Sequence, residues 1–430
     1  MIKDKIETAT RREIEKVQLK RLRDTLLRVY TLNPFYTKSF DKLKVRPEDI
    51  KSLKDVQKLP FTTKKDLRQS YPFGFFTVSM DNIIEIHSSS GTTGKPTVVG
   101  YTKSDIKIWR NLMARVYFMA DINHRDIIHN SYGYGLFTGG LGFHEGAKKI
   151  GVTVVPASGG FTKRQLMLMK DFGATVLAST PSFALHLAEI AKSQNPNFID
   201  DYSLRVGIFG AEPTSQGLKD EVAKKWKLAY HEIYGLSEII GPGVSCGCGF
   251  GNRLHIFEDH FLPEIIDPKT GKVLEDGEVG ELVITTLTKQ ALPLIRYKTG
   301  DITSLRREPC KCGRTMVSME PVLGRVDDML IVNGVNIYPS QVEHVIAITK
   351  DVTLNYQIIV DKKGYLDKLK ILVELEQDIP KDKIPKIKSR LEEEFLNNLY
   401  INTDVRLLAP NTLERSMGKA LRVIDKREKI

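Results

Sequence analysis

The opening stretch of the chain sets charged residues between apolar ones at helical spacing. Ile6, Ile14, Val17, Leu19, Leu22 and Leu26 fall on one broad face, which predicts an amphipathic, basic helix at the N-terminus. From about residue 83 to residue 266 the pattern changes. Short apolar runs (GVTVVPAS, ATVLAST, LRVGIFGAE, LAYHEIYG) alternate with longer amphipathic stretches such as TPSFALHLAEIAKSQ and GLKDEVAKKW. Strand, loop and helix repeated in this order predict a parallel sheet, with ligands at the loops that follow the strands. Between residues 264 and 304 the segments PEIIDPKTGKVL and GELVITTLT read as hairpins, with Asp-Pro and Thr-Gly marking the turns. A third region begins near Gly324. There DDMLIVNGVNIYPSQVEHVIAI, LKILVELE and a charged helix at 380–399 form a small α+β module. The predicted fold class is therefore α/β. A large N-terminal domain (1–326) holds parallel α/β sheets and a β-rich subdomain, and a small α+β C-terminal domain (327–430) follows.

Composition narrows the function classes. A chain of 430 residues, 41% of them hydrophobic, is long enough for two or three cores. No apolar run reaches membrane-spanning length, and the N-terminus MIKDKIETATRREIEK is charged throughout. The expectation is a cytoplasmic protein with no membrane partner. The net charge of +11 arises from 64 basic residues interspersed with 53 acidic ones, without a long single-sign block or a nucleic-acid motif. Nucleic acid is therefore not the expected partner; small polyanions suit the excess of positive charge. The four cysteines stand as two C-x-C pairs, Cys246/Cys248 and Cys310/Cys312. Without a secretory signal, that pattern favours metal or free thiols over disulfides.

The chemistry concentrates in a few loops. EIHSSSGTTGKPTVVGYT (85–102) packs hydroxyls, glycines and Lys95 between two apolar runs, the donor set that a phosphate chain needs. It is not a Walker loop. Ser89 stands where the first glycine of that pattern belongs, and Pro96 stands where the magnesium-binding hydroxyl belongs. SYGYGLFTGGLGFHEGAKKIG (131–151) sets glycines beside Tyr134, Phe137 and Phe143, either as a close wall along a flat apolar ligand or as core packing at a helix start. In FGAEPTS and EIYGLSE, Tyr234 offers an aromatic face and Glu238 a carboxylate that can hold magnesium against phosphate. Taken alone, Glu238 reads as a solvated helix residue. Asp301 closes LIRYKTGDIT, Arg325 and Asp327 fall at the proposed domain boundary, and Lys419 lies in ERSMGKALRV. No G-x-S-x-G elbow is present, which disfavours a serine hydrolase.

Taken in order, these segments resemble the adenylate-forming acyl-CoA ligases. NPFY, LPFTTKKDLRQSYPFG, SSSGTTGKPTVVGYT, YGYGLFTGGLGFH, ATVLASTPSFAL, GAEP, YGLSEIIGPGV, HIFEDHF, LPLIRYKTGDIT, GRVDDMLIVNGVNIYPSQVE and GKALRVIDKR carry the likeness over nearly the whole chain. The resemblance implies ATP, Mg2+ and coenzyme A as cofactors and co-substrates. An acid is joined to AMP with release of pyrophosphate, and the acyl group then passes to the thiol of coenzyme A. It implies that Ser88, Ser89, Ser90, Gly91, Thr92, Thr93, Gly94 and Lys95 grip the β- and γ-phosphates. Gly210, Ala211, Glu212, Pro213 and Tyr234 would bind adenine, and Asp301 and Arg325 the ribose. Glu238, with Thr92 or Thr93, would serve magnesium. Lys419 becomes the adenylation lysine, carried by a mobile C-terminal domain that rotates about Asp327 between the half-reactions.

For the acid pocket the resemblance points to Tyr134, Phe137, Ala211, Ile240 and Pro242. Their residue types suit an unsubstituted aryl monocarboxylate, with phenylacetate as the first expectation. One departure from the family pattern is Glu145, which stands where an aromatic usually follows His144. The resemblance also makes Cys248, His255, Cys310 and Cys312 a candidate structural zinc site, with a four-cysteine set including Cys246 and plain reduced thiols as competing readings. A homodimer is a family-level expectation. Two other functions stay open on sequence: a related synthetase that adenylylates a deazaflavin cofactor, and a non-catalytic binding or scaffold protein.

Overall fold

The apolar runs identified above are continuous rather than alternating because they are buried on both faces. In Val176–Ser179 and Val206–Phe209 all four residues of each strand are buried, the signature of a parallel sheet covered by helices. The structure is a computed structural model. It describes residues 4–89, 95–326, 329–332, 335–363, 366–377, 379–380, 382–399, 401–415 and 422–427. By its contacts the chain forms two units. The first comprises Met1–Ser179, Asp200–Ala211 and Leu228–Pro321, and the second Thr180–Ile199, Glu212–Lys227 and Val322–Ile430.

The first unit is built on a nine-stranded sheet. Thr153–Val155, Ile127–Asn130, Val176–Ser179, Val206–Phe209 and Ala229–Leu236 run parallel, as the alternating pattern predicts. The parallel order ends at Leu236, earlier than the reading to residue 266. Gly241–Gly247 returns antiparallel to Ala229–Leu236, and Leu254–Ile256, Ser318–Met319 and Leu305–Arg306 follow antiparallel. Glycines permit the return: Gly241 has φ +93°, and a Cβ on Gly235 would stand 2.0 Å from the Gly241 carbonyl oxygen. Beside this sheet, Phe261–Ile266, Gly280–Thr286 and Tyr297–Thr303 form the β-rich part, paired antiparallel. Its first turn is the DPKTG segment, where the Asp267 carboxylate accepts from the backbone N–H groups of Lys269 and Thr270.

The N-terminal helix begins later than expected. It spans Arg11–Leu32, capped by Thr10 and Glu13, and Ile6 lies before it in a 3-10 turn. Its buried face is Ile14, Gln18, Leu22, Thr25, Leu26 and Val29, whereas Val17 and Leu19 are only half-buried. Gln18 and Thr25 enter the core because Gln18 Nε2 donates to the Phe261 carbonyl (3.4 Å) and Thr25 Oγ1 to that of Leu287 (3.1 Å).

In the second unit, Leu366–Leu375 and Val352–Lys363 pair antiparallel, and Thr403–Leu408 and Val423–Asp425 add on parallel at the two edges. The helix Ile384–Leu399 buries Ile387, Leu391, Phe395 and Leu399, four positions at i, i+4 spacing. The same unit takes in the helices Pro181–Gln194 and Gln216–Trp226, whose Trp226 Nε1 donates to the Ala184 carbonyl (2.9 Å). Among the described residues, no helix is long and apolar enough to cross a membrane.

Candidate active site

The polar loop leaves from a two-stranded hairpin. Glu85–Ser88 pairs with Val98–Tyr101, and the neck is closed by Ser89 N–H on the Thr97 carbonyl (3.0 Å) and Thr97 N–H on Ser89 Oγ (3.3 Å). Ser88 N–H donates to the Leu136 carbonyl (2.9 Å), which joins this hairpin to the glycine-rich segment. Lys95 is exposed, with its ammonium 5.3 Å from the centroid of the Tyr71 ring. Ser90, Gly91, Thr92, Thr93, Gly94, Asp327 and Lys419 lie outside the described residues.

At the end of Val206–Phe209 the backbone turns sharply. A Cβ on Gly210 would stand 2.2 Å from the Ile233 carbonyl oxygen, and Ala211 has φ +74°. Glu212 belongs to the second unit, where its carboxylate accepts from Ser182 N–H (2.6 Å) and Ser182 Oγ (2.9 Å), and Pro213 follows it half-buried. Arg325, also in the second unit, is half-buried on the short strand Gly324–Arg325. In the first unit Tyr234 hydroxyl donates to Asp301 Oδ2 at 2.6 Å, which brings together two residues 67 positions apart in the chain. Asp301 is 5% exposed. Glu238 is not the solvated helix residue that it reads as when taken alone. It sits in the turn between Ala229–Leu236 and Gly241–Gly247, 4% exposed, with Lys64 Nζ at 3.5 Å. Glu238 is thus a buried carboxylate in a tight turn.

A cavity of about 190 Å³ opens beside this turn. Tyr132, Phe137, Phe143, Ala211, Ile233 and Pro242 supply apolar surface, and Ser89, Ser237 and Glu238 supply polar groups. Phe137, Ala211 and Pro242 were expected here. Tyr134 and Ile240 are not among the lining residues: Tyr134 hydroxyl accepts from Asn130 Nδ2 (2.8 Å) and meets His144 Nδ1 (3.2 Å), and Ile240 is 2% exposed. Burial pushes the Tyr134 phenol up to about 12. Tyr132 and Phe143 take the wall instead, stacked at 4.8 Å between centroids, with Tyr132 hydroxyl donating to the Ser179 carbonyl (2.6 Å). Sequence reasoning passed over Tyr132, although it stands two residues before Tyr134 in the same motif. The glycines of the helix Thr138–Ile150 serve close packing: a Cβ on Gly146 would meet Met113 Cβ at 2.3 Å. Glu145, on this helix, is paired with Arg110 and Lys148.

Elsewhere in the first unit, the ligand atoms of Cys248, His255, Cys310 and Cys312 all lie within 4.8 Å of one another. Cys248 Sγ is 3.7 Å from Cys310 Sγ, and Cys312 Sγ is 3.4 Å from His255 Nε2. The edges of a tetrahedron with ordinary zinc–sulfur and zinc–nitrogen bonds are about 3.8 Å and about 3.6 Å. His255 Nδ1 lies 3.4 Å from the Met316 carbonyl, so the second ring nitrogen has the acceptor that orients a metal-binding imidazole. Cys246 is outside this group; it is fully buried, with Sγ 3.5 Å from the Gly247 carbonyl oxygen.

The AMP-binding enzyme family model matches residues 30–288, more than half of the chain, and the AMP-binding enzyme C-terminal domain model matches residues 334–427. A phenylacetate-coenzyme A ligase of Escherichia coli (strain K12) is 45% identical over 99% of this chain and 97% of its own length. One of Thermus thermophilus is 44% identical over 100% of both. The chain belongs to the phenylacetate-coenzyme A ligase family of AMP-binding enzymes. A solved 2-hydroxyisobutyryl-CoA ligase, in the postadenylation state with R3-HIB-AMP, matches with a TM-score of 0.93 at 26% identity, covering 98% of this chain and 91% of its own. Membership in the phenylacetate-coenzyme A ligase family accounts for the α/β architecture and assigns an AMP-forming acid–thiol ligase, so the scaffold alternative falls away.

Proposed function

We propose that the chain converts phenylacetate, ATP and coenzyme A to phenylacetyl-CoA, AMP and pyrophosphate through a phenylacetyl-adenylate. The observation that carries the substrate is the cavity of about 190 Å³ beside Glu238. A dry cavity of about 150 Å³ takes benzene, so this one suits a phenyl ring with a short arm. Its apolar wall comes from Tyr132, Phe137, Phe143 and Pro242, and Ser89, Ser237 and Glu238 supply its polar groups.

The first half-reaction brings a carboxylate against an α-phosphate, two anions, so catalysis must come from neutralisation and in-line positioning. In this reading Ser88 to Lys95 hold the departing pyrophosphate. Tyr234, with residues 210–213, packs on adenine, and Asp301 and Arg325 hold the ribose. Glu238 holds magnesium, with Thr92 or Thr93. Lys419 bridges the acid and the α-phosphate. Residues 327–430 then turn about Asp327, and the thiol of coenzyme A replaces AMP. The bond between Tyr234 and Asp301 supports this assignment, because it couples the adenine and ribose positions. A zinc ion on Cys248, His255, Cys310 and Cys312 would cross-link the strand Leu254–Ile256 to two loops of the first unit; the donor spacing and the Met316 acceptor support it. The same reading places the enzyme in the cytoplasm as a homodimer.

The test is pyrophosphate release from ATP and magnesium with a panel of carboxylic acids, with and without coenzyme A, and with the products identified. Turnover with phenylacetate only when coenzyme A is present, giving the thioester and AMP, is the expected result. Coenzyme A-independent AMP transfer to another acceptor would move the chain to the deazaflavin-type synthetases.

A further inference from the structure

We infer that Trp109 is a positioning residue that sets the depth of the acid cavity, although it does not line that cavity. The inference rests on the reading of the cavity as an aryl-acid pocket. Trp109 lies on the helix Lys103–Met119 and is 1% exposed. Its indole Nε1–H donates to the Pro242 carbonyl at 2.8 Å, and Pro242 and Gly241 both line the cavity. The same edge of the ring fills the space behind that wall: a Cβ on Gly241 would stand 2.6 Å from Trp109 Cζ2. A Cβ on Gly142 would stand 2.5 Å from the same atom and 2.7 Å from Pro242 Cγ.

The ring is itself fixed. Tyr101 stacks on it with centroids 5.1 Å apart and planes 16° apart, and Tyr101 hydroxyl donates to the Ile240 carbonyl at 3.0 Å. One aromatic stack therefore holds the carbonyls on both sides of Gly241, whose φ of +93° few other residues adopt. The wall cannot retreat while the indole stays in place, because protein interiors transmit a displacement of this size rather than absorb it.

The consequence is a length limit on the acid. In Trp109→Phe the smaller ring gives up the bond to Pro242 and frees space behind residues 241 and 242. A one-methylene difference in a hydrophobic pocket is worth about 10–200-fold in kcat/KM. The ratio of kcat/KM for 3-phenylpropionate over phenylacetate should therefore rise at least about tenfold in Trp109→Phe. The change should appear as a raised KM for phenylacetate with kcat nearly kept. Gly142→Ala approaches the same packing from the other side. It should lower kcat/KM for phenylacetate in the wild-type background and restore it in Trp109→Phe, where the added methyl takes the vacated space.

The decisive measurement is this two-by-two set of variants, assayed by pyrophosphate release with benzoate, phenylacetate and 3-phenylpropionate. Should Trp109→Phe not fold, Gly142→Ala alone must raise the benzoate to phenylacetate ratio. An unchanged acid preference in both single variants, or equal effects of Gly142→Ala in the two backgrounds, overturns the inference while wild-type turnover of phenylacetate leaves the pocket reading intact. Absence of wild-type turnover with every aryl acid overturns both.

Discussion

Lys289 offers a test of the packing beneath the acid cavity that needs no substrate. It is 3% exposed, and its Nζ has no hydrogen-bond partner among the described residues. Its ammonium stands 3.3 Å from the centroid of the Tyr101 ring, the ring that stacks on Trp109. Burial lowers its pKa from 10.5 to about 8, against the upward pull of Asp105 and Glu85. The unfolded chain keeps this proton up to pH 10.5, whereas the folded chain releases it near pH 8. Between those values the unfolded state binds more protons, so stability rises with pH across that window; below pH 8 the penalty is complete. At 1.36 kcal/mol per pKa unit the penalty is about 3 kcal/mol at pH 7. Lys289→Met, which keeps the length of the side chain without the charge, should therefore be more stable than wild type by up to about 3 kcal/mol at pH 7. The difference should shrink between pH 8 and pH 10. Urea unfolding of both proteins at pH 7, 8.5 and 10 measures it, because subtraction removes every other titrating group. A variant that is less stable at pH 7, or a difference that does not change with pH, would refute the reasoning.

Three further outcomes are expected. Tyr234→Phe removes the 2.6 Å bond to buried Asp301; a hydrogen bond to a charged group contributes about 1.5–3 kcal/mol, so the KM for ATP should rise roughly ten- to a hundredfold while the fold persists, and an unchanged KM would remove Tyr234 from the nucleotide site. Protein purified without added metal should carry about one equivalent of zinc, kept in Cys246→Ser and lost in Cys312→Ser; under a tenth of an equivalent in wild type rejects the site. Lys419→Ala should abolish formation of the acyl-adenylate and spare thioester formation from supplied acyl-adenylate, and equal loss of both steps would end its proposed role.

How much of this was legible in the sequence depends on how local each determinant is. The parallel strands were readable because burial on both faces favours runs such as VLA (176–178) and VGIF that carry no polar side chain. The turn at Asp267 was readable because its hydrogen bonds are made within five residues. Gln18 and Thr25 were left off the predicted face of the N-terminal helix, since polar residues enter a core only when a partner waits for them, and the carbonyls of Phe261 and Leu287 are more than two hundred positions away. The return after Leu236 was missed for a related reason. Glu238 continues a helical pattern on paper, yet glycines at 235 and 241 let the chain fold back on itself, and that buries the carboxylate.

The same contrast governs the cavity. Of the residues that the motifs offered for the acid, Phe137, Ala211 and Pro242 line it, whereas Tyr134 was named and Tyr132, two residues earlier in the same glycine-rich run, was passed over. The choice is made by partners from other segments: the Ser179 carbonyl takes the Tyr132 hydroxyl, while Asn130 and His144 hold that of Tyr134. Trp109 is the extreme case. Nothing adjacent in sequence marks it, and its effect on the acid pocket depends on Gly142, Gly241 and Pro242 meeting its ring in three dimensions. Residues that touch the reacting atoms belong to compact motifs because one loop can deliver several donors to one phosphate. Residues that set the pocket's depth, as proposed for Trp109, act through packing, which leaves no motif to read.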